Sequence, residues 1–348
     1  MDIRLGAPRF NQAIESLPAR LRDILAALPD SVKASASEVR LRAERPLMLT
    51  SPGQNWFVDS FARLHNIPAA CVLVTPEEIE EAILAMCAYS VHSHQNEMAK
   101  GFISLKGGHR AGICGTAVLQ NGRVQAVRNV TSLNLRIARD IHGAADEIVG
   151  RAFKDSLCGV LVAGPPASGK TTILRDLARQ LAGGRTGRYY RVAVADERGE
   201  LGAVHEGIPQ NDLGAACDIL SGYPKGEAIM TAVRTLSPQV IVCDEIGGEE
   251  DVSGILDGLR SGVRFVASVH AESIEELLGK RQVARLLSED AFGMIFLLGG
   301  HDRPCKVKET IRTEALRYEN GGYTLHRSVL CHDRGADDVE YVGQGEEA

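Results

Sequence analysis

From residue 160 to residue 172 the chain reads V-L-V-A-G-P-P-A-S-G-K-T-T, and this stretch restricts the fold most tightly. The apolar run at 158–163 has the character of a strand buried on both faces. Gly164 to Thr171 then fits G-x-x-x-x-G-K-T. A helical pattern follows, with Ile173, Leu174, Leu177, Ala178 and Leu181 on one side and Gly183-Gly184 as the stop. Small residues at Gly164, Pro165, Pro166, Ala167, Ser168 and Gly169 let successive backbone N–H groups curl around a phosphate. The helix N-terminus adds positive potential there. Lys170 is placed to neutralise the β- and γ-phosphates, the Thr171 hydroxyl to bind Mg²⁺, and Thr172 to hydrogen-bond the α-phosphate. A glycine-rich turn arising by chance would lack the strand before it and the helix after it.

At 348 residues the chain has room for one large or two medium domains, each with a real core. The formal net charge of −6 provides no global basic footprint for nucleic acid. Its eight cysteines are scattered, without a C-x-x-C pair or zinc spacing, which points to a reducing compartment. The first residues lack a signal-peptide apolar core, and no apolar run approaches the roughly 18 residues of a membrane span, so membrane association is expected to be peripheral.

The first half reads as α+β with an antiparallel sheet. Residues 1 to about 30 read helical, with Leu17, Leu21, Ile24, Leu25 and Leu28 on one stripe ending at Pro29-Asp30. Residues 38–50 alternate as strand, turn at Pro46, strand. Residues 76–90 form a helix capped by Thr75, with Pro76 in its first turn. Asn121-Gly122 between alternating runs signals a hairpin.

From 158 the rhythm becomes strand–helix–strand. Strands are expected at 158–163, 190–195, 240–243, 264–269 and 294–298. Helices are expected at 227–237, 251–260 and 274–287, and residues 205–226 read as loop plus short helix. Such units make parallel strands, and ligands then sit at the strands' carboxyl ends. The phosphate loop, Asp196-Glu197, Asp244-Glu245 and His270 all fall at such ends and should converge on one edge. Asp244 is expected to hold Mg²⁺, and Glu245 to orient or deprotonate the attacking water. Glu197 and Glu200 are rivals for the water, and Glu197 also for the metal. His270 is a candidate reader of the γ-phosphate. Arg136 and Arg139, just before the second domain, are either solvated surface or groups that reach a nucleotide across a cleft. Near the end, Asn320-Gly321-Gly322 reads as a hairpin turn and the last dozen residues as an acidic disordered tail.

G-G-H-R-A-G-I-C-G, N-L-R-I-A-R, G-P-P-A-S-G-K-T-T, V-A-D-E-R-G-E and the run P-K-G-E-A-I-M-T-A-V-R-T-L-S-P-Q-V-I-V-C-D-E-I-G together resemble the stage III sporulation protein AA family. These are secretion-superfamily ATPases, related to the hexameric motors of type II and type IV secretion and pilus systems. The resemblance runs from residue 38 to beyond 298. It implies an α/β fold in which a RecA-like P-loop NTPase domain with a mostly parallel sheet follows a smaller α+β N-terminal domain. The expected limits are 1–143, 144–335 and a tail at 336–348. It also implies ATP and Mg²⁺ as ligands, and a homo-oligomer, expected as a hexamer. The partners implied are membrane channel proteins of the sporulation complex. The place is the cytoplasmic, mother-cell side of a channel to the forespore, peripheral to the membrane. The family's acidic box matches 196–200 and its His box matches His270. Its nucleotide-reaching arginines match Arg136 first and Arg139 second. Two departures stand out: Gly248 replaces the usual arginine after Asp-Glu-Ile-Gly, and the His box reads S-V-H-A-E without flanking threonines. The alternatives are a nucleic-acid-dependent RecA-like ATPase, against which the acidic charge argues, and a nucleotide-binding scaffold with little turnover.

Overall fold

A computed structural model describes residues 3–325 apart from residues 140, 155, 301, 320 and 321. The acidic tail and Cys331 lie outside the described residues, as do Asn320 and Gly321 of the predicted hairpin turn. Its two strands, Leu316–Glu319 and Gly322–Leu325, do pair antiparallel.

The first half carries a seven-stranded antiparallel sheet. Its order is Leu64–His65, Gln54–Val58, Met48–Ser51, Glu38–Arg42, Arg123–Arg136, Arg110–Gln120, Phe102–Ser104. Alternation decides which face is buried. In Glu38–Arg42 the apolar Val39 and Leu41 point inward and the charged residues outward. Gln120 pairs with Arg123 around Asn121 (φ 51°) and Gly122 (φ 74°), both left-handed, as a two-residue hairpin turn of type I′ requires. The helix Pro76–Met86 is closed by a full capping box. Glu78 N–H donates to Thr75 Oγ1 at 3.3 Å and Thr75 N–H to Glu78 Oε2 at 3.0 Å. The N-terminal helical stretch is broken. It is divided into Ile3–Ile14, which contains Pro8, and Ala19–Ala26 and Asp30–Ser35, which start directly after Pro18 and Pro29 in extended backbone (ψ 145° and 144°). Leu17, Leu21, Leu25 and Leu28 are still buried in one core with Leu41, Leu49 and Leu135.

The second half is built on another seven-stranded sheet, of mixed direction. Its order is Cys217–Ser221, Val192–Asp196, Val240–Cys243, Arg264–His270, Val160–Gly164, Met294–Leu298, Val307–Arg312. All neighbours are parallel except the last pair. Two edge strands differ from the sequence reading, which gives 205–226 as loop plus short helix and 307–318 as one arm of the terminal hairpin. Cys217–Ser221 lies in a stretch read as loop and short helix, and Val307–Arg312 joins the main sheet rather than the terminal hairpin. The expected helix at 274–287 is interrupted at Gly279-Lys280, giving Ile274–Leu278 and Arg281–Ser288.

The central strands are covered on both faces, which explains their unbroken apolar runs. Leu161, Ala193, Ile241 and Cys243 pack with residues of the helices Lys225–Thr235, Glu249–Arg260 and Arg281–Ser288. Val160, Val162, Val194 and Val242 face the phosphate-loop helix Lys170–Ala182 on the other side. Because the strands are parallel, Gly164, Asp196, Cys243 and His270 end on one edge of the sheet.

Candidate functional site

The phosphate loop is shaped by residues on either side of it. Gly164 ends its strand where a Cβ would lie 2.6 Å from Ser168 Oγ, so no side chain fits without movement. Gly169 has φ 93°, and a Cβ there would meet Cys305 Sγ at 2.5 Å and Cys305 N at 2.8 Å. Cys305 also braces the loop, donating its N–H to Ser168 O at 2.8 Å. Lys170 opens the helix, and its ammonium donates to Gly164 O and Pro165 O at 2.8 Å each. Burial pushes its pKa down, while the carboxylates of Asp244 and Glu245 push it back up, so both acids lie within electrostatic reach of this lysine. Ser168 Oγ is buried and has no hydrogen-bond partner among the described residues.

Asp244 stands beside this loop. Thr171 Oγ1 donates to its Oδ2 at 3.3 Å, and Ser268 Oγ donates to its Oδ1 at 2.7 Å. The N–H of Glu245 is shared between Asp244 Oδ1 at 2.9 Å and Ser268 Oγ at 3.0 Å. Glu245 itself has φ 33°, a left-handed value unusual for a glutamate. Its Oε2 pairs with Arg198 Nη1 at 2.8 Å.

The acids at 196–200 diverge. Asp196 is buried, and its carboxylate accepts three backbone N–H bonds, from Glu200 (2.8 Å), Leu201 (3.1 Å) and Gly202 (2.7 Å). It caps a loop. Glu197 is half exposed, 3.9 Å from Lys225 Nζ. Glu200 points toward the first half, 4.0 Å from Arg110 Nη1. Asp196, Glu197, Arg198, Lys225, Asp244 and Glu245 line one small cleft.

His270 pairs in register with Gly164 and so stands next to the loop. The two arginines do not join the others within this chain. Arg136 Nε lies 3.4 Å from Glu38 Oε1 with its side chain 67% exposed. Arg139 donates from Nη2 to Ala36 O at 2.7 Å, and burial lowers its pKa. Thr172 faces Cys305 Sγ. Five neighbours of the site were not singled out from the sequence: Arg110, Arg198, Lys225, Ser268 and Cys305. Ser268 was within reach, since it lies two residues before His270 and therefore on the same strand face. Arg110 was not. It stacks on Phe102, 4.4 Å from guanidinium carbon to ring centroid, and donates to Arg198 O at 3.3 Å across 88 positions of chain. Among the described residues no group of three or more His, Cys, Asp or Glu side chains is arranged to hold a metal ion. No helix among them is long and apolar enough to cross a membrane.

Comparison with known proteins bears on this geometry. Two solved structures share the fold. The Legionella pneumophila ATPase DotB aligns with a TM-score of 0.51 and 13% identity, covering 80% of this chain and 77% of that one. The pilus retraction motor PilT with bound ADP aligns with a TM-score of 0.50 and 17% identity, covering 83% and 77%. In sequence, the chain is 33% identical over 321 residues to the stage III sporulation protein AA of Bacillus subtilis, covering 92% of this chain and 98% of that protein. The family described as "Sporulation stage III, protein AA" matches residues 8–317. A match of that extent, together with so close a full-length relative, places this chain in the sporulation stage III protein AA family.

Proposed function

We propose that this protein is a Mg²⁺-dependent ATPase of RecA-like architecture that powers assembly or transport through a sporulation channel between mother cell and forespore. The observation that carries this reading is the gathering of Lys170, Thr171, Asp244 and Glu245 at one sheet edge from separate strand ends. The backbone N–H groups of the loop and the Lys170 ammonium hold the phosphates. The buried, unpartnered Ser168 Oγ is one more donor on that loop. Thr171 and Asp244, a hydroxyl and a carboxylate already 3.3 Å apart, are hard oxygen donors of the kind Mg²⁺ takes alongside phosphate oxygens and water. They would hold the ion, which when bound neutralises charge on the transferring phosphate. Ser268 orients Asp244. Glu245 positions the attacking water and accepts its proton. His270, beside the loop, reads the γ-phosphate.

The run of parallel neighbours in the second sheet supports the RecA-like reading. The two separate sheets and their cores support a division at about residue 143. The Arg136 and Arg139 side chains are engaged by Glu38 and Ala36 of the first half, and Arg139 O also accepts from Arg175 of the phosphate-loop helix at 3.4 Å; in a hexameric ring the two arginines would serve the nucleotide of this copy or the next. The ring would sit peripherally on the cytoplasmic, mother-cell face of the membrane, against channel proteins of the sporulation complex.

The test is Mg²⁺-ATP turnover and nucleotide affinity of the purified protein. The expected result is sustained hydrolysis that disappears in Lys170→Ala. A calorimetric titration in which ATP gives neither heat nor stabilisation would overturn the proposal.

A further inference from the structure

Lys225 is a lysine in a place where a lysine is costly. It is only 7% exposed, although ammonium groups are seldom buried unless paired. It is also the first residue of the helix Lys225–Thr235, the end where backbone dipoles already concentrate positive potential. Oxygen atoms compensate. Lys225 Nζ donates to the main-chain carbonyl of Glu245 at 2.6 Å and to Asp251 Oδ2 at 3.3 Å, with Glu197 Oε2 at 3.9 Å. The same Asp251 oxygen accepts the N–H of Gly247 at 2.9 Å.

The short segment 245–247 is therefore tied at both ends to one Lys225–Asp251 pair, by a carbonyl at its start and an N–H at its end. This is the segment in which Glu245 takes its left-handed φ of 33°. A backbone of that kind persists only where its surroundings over-determine it. The pair can form because the two helices that carry it approach closely. A Cβ on Gly254 would lie 3.2 Å from Gly226 Cα, and one on Gly226 would lie 3.1 Å from Glu250 O.

We propose that Lys225 is a positioning residue: with Asp251 it clamps the backbone of 245–247 and so aims the Glu245 carboxylate at the phosphate loop. The same ammonium stands 3.9 Å from Glu197 Oε2, so one lysine neighbours both candidate carboxylates, through the main chain of Glu245 and the side chain of Glu197. This inference rests on reading the site as one for ATP hydrolysis, and it adds a residue that acts through Glu245. Its mark is a loss in turnover without a loss in binding, because the loop that grips phosphate is untouched.

The experiment measures kcat for Mg²⁺-ATP and the Kd of a fluorescent ATP analogue in the full chain, for the wild type, Lys225→Met, Asp251→Asn and Glu245→Gln, and for Lys225→Met combined with Glu245→Gln. Lys225→Met is expected to lower kcat by about ten- to a hundredfold while Kd stays within about twofold, the usual size of effect when a supporting residue lets a reacting group drift. Asp251→Asn, nearly isosteric, is expected to follow in the same direction, and it decides the matter should Lys225→Met not fold. In the Glu245→Gln background, Lys225→Met should cost nothing further, since both act through one carboxylate. A wild-type kcat in Lys225→Met, a change confined to Kd, or losses that multiply in the double variant would each overturn the clamp. Wild-type protein that does not turn over ATP would overturn the reading of the site, and the clamp with it.

Discussion

Two strands that lie side by side in the second sheet end in the same dipeptide. Val192–Asp196 runs into Glu197 and Val240–Cys243 runs into Asp244-Glu245. Ala195 pairs with Cys243, so the two aspartates are neighbours. Their surroundings give them different work. After Asp196 the chain turns back through Gly199 (φ 65°) and aims the N–H groups of Glu200, Leu201 and Gly202 at its carboxylate. That carboxylate is consumed. After Asp244 the chain leads away through Ile246, whose N–H goes to Ser268 O, and among the described residues Asp244 meets one backbone donor besides two hydroxyls. Its Oδ2 faces the phosphate loop through Thr171. A carboxylate's role at a strand end is thus decided by how many donors the following loop returns to it.

Substitutions at the two ends test this contrast. The largest effect is expected at Glu245→Gln, where steady-state hydrolysis should fall by about a hundredfold or more with nucleotide affinity retained. Asp244→Ala should lose turnover to a similar extent and, in addition, the Mg²⁺ dependence of nucleotide binding, read by titration with and without the ion. At the other end the damage moves from activity to folding. Asp196→Ala orphans three N–H groups and should cost about 3 kcal/mol in a denaturant melt. Equal stability of Asp196→Ala and wild type would break the comparison. Glu197→Gln should lower kcat by less than about tenfold, and a dead enzyme there with an active Glu245→Gln would reverse the two assignments. The smallest effect is expected from Arg198→Ala. Its pair with Glu245 is solvent-exposed, so thermal stability should change by no more than about 0.5 kcal/mol.

What the sequence disclosed follows how local each feature is. The phosphate loop is written in consecutive residues, with a strand before it and a helix after it. The Asn121-Gly122 turn and the Thr75 cap were equally legible, since each is satisfied within four residues. Asp244 and Glu245 could be placed at the same edge because parallel strands align their ends. Features set by distant contacts were not legible. Cys217–Ser221 is an edge strand with a mixed burial pattern, and only pairing with Val192–Asp196 makes it a strand. Lys225 looks like an ordinary solvated helix-start lysine until the Gly226–Gly254 approach brings Asp251 beneath it. Arg110 meets Glu200 only because two halves of the chain come together. Arg136 and Arg139 could be picked out as arginines near the boundary, but not as bonded to Glu38 and Ala36.

Cys305 has a consequence for the order in which the molecule becomes competent. The phosphate loop is complete in sequence by residue 172, yet its Ser168 carbonyl and the space beside Gly169 are closed by a residue more than a hundred positions later. That residue belongs to the turn leading into Val307–Arg312, the antiparallel strand that finishes the sheet. A chain still emerging from the ribosome, extended only to about residue 298, therefore has the whole loop from Gly164 to Thr172 and no Cys305 behind it. Gripping a nucleotide is expected to be among the last abilities this half acquires during synthesis, after its buried strands have already assembled.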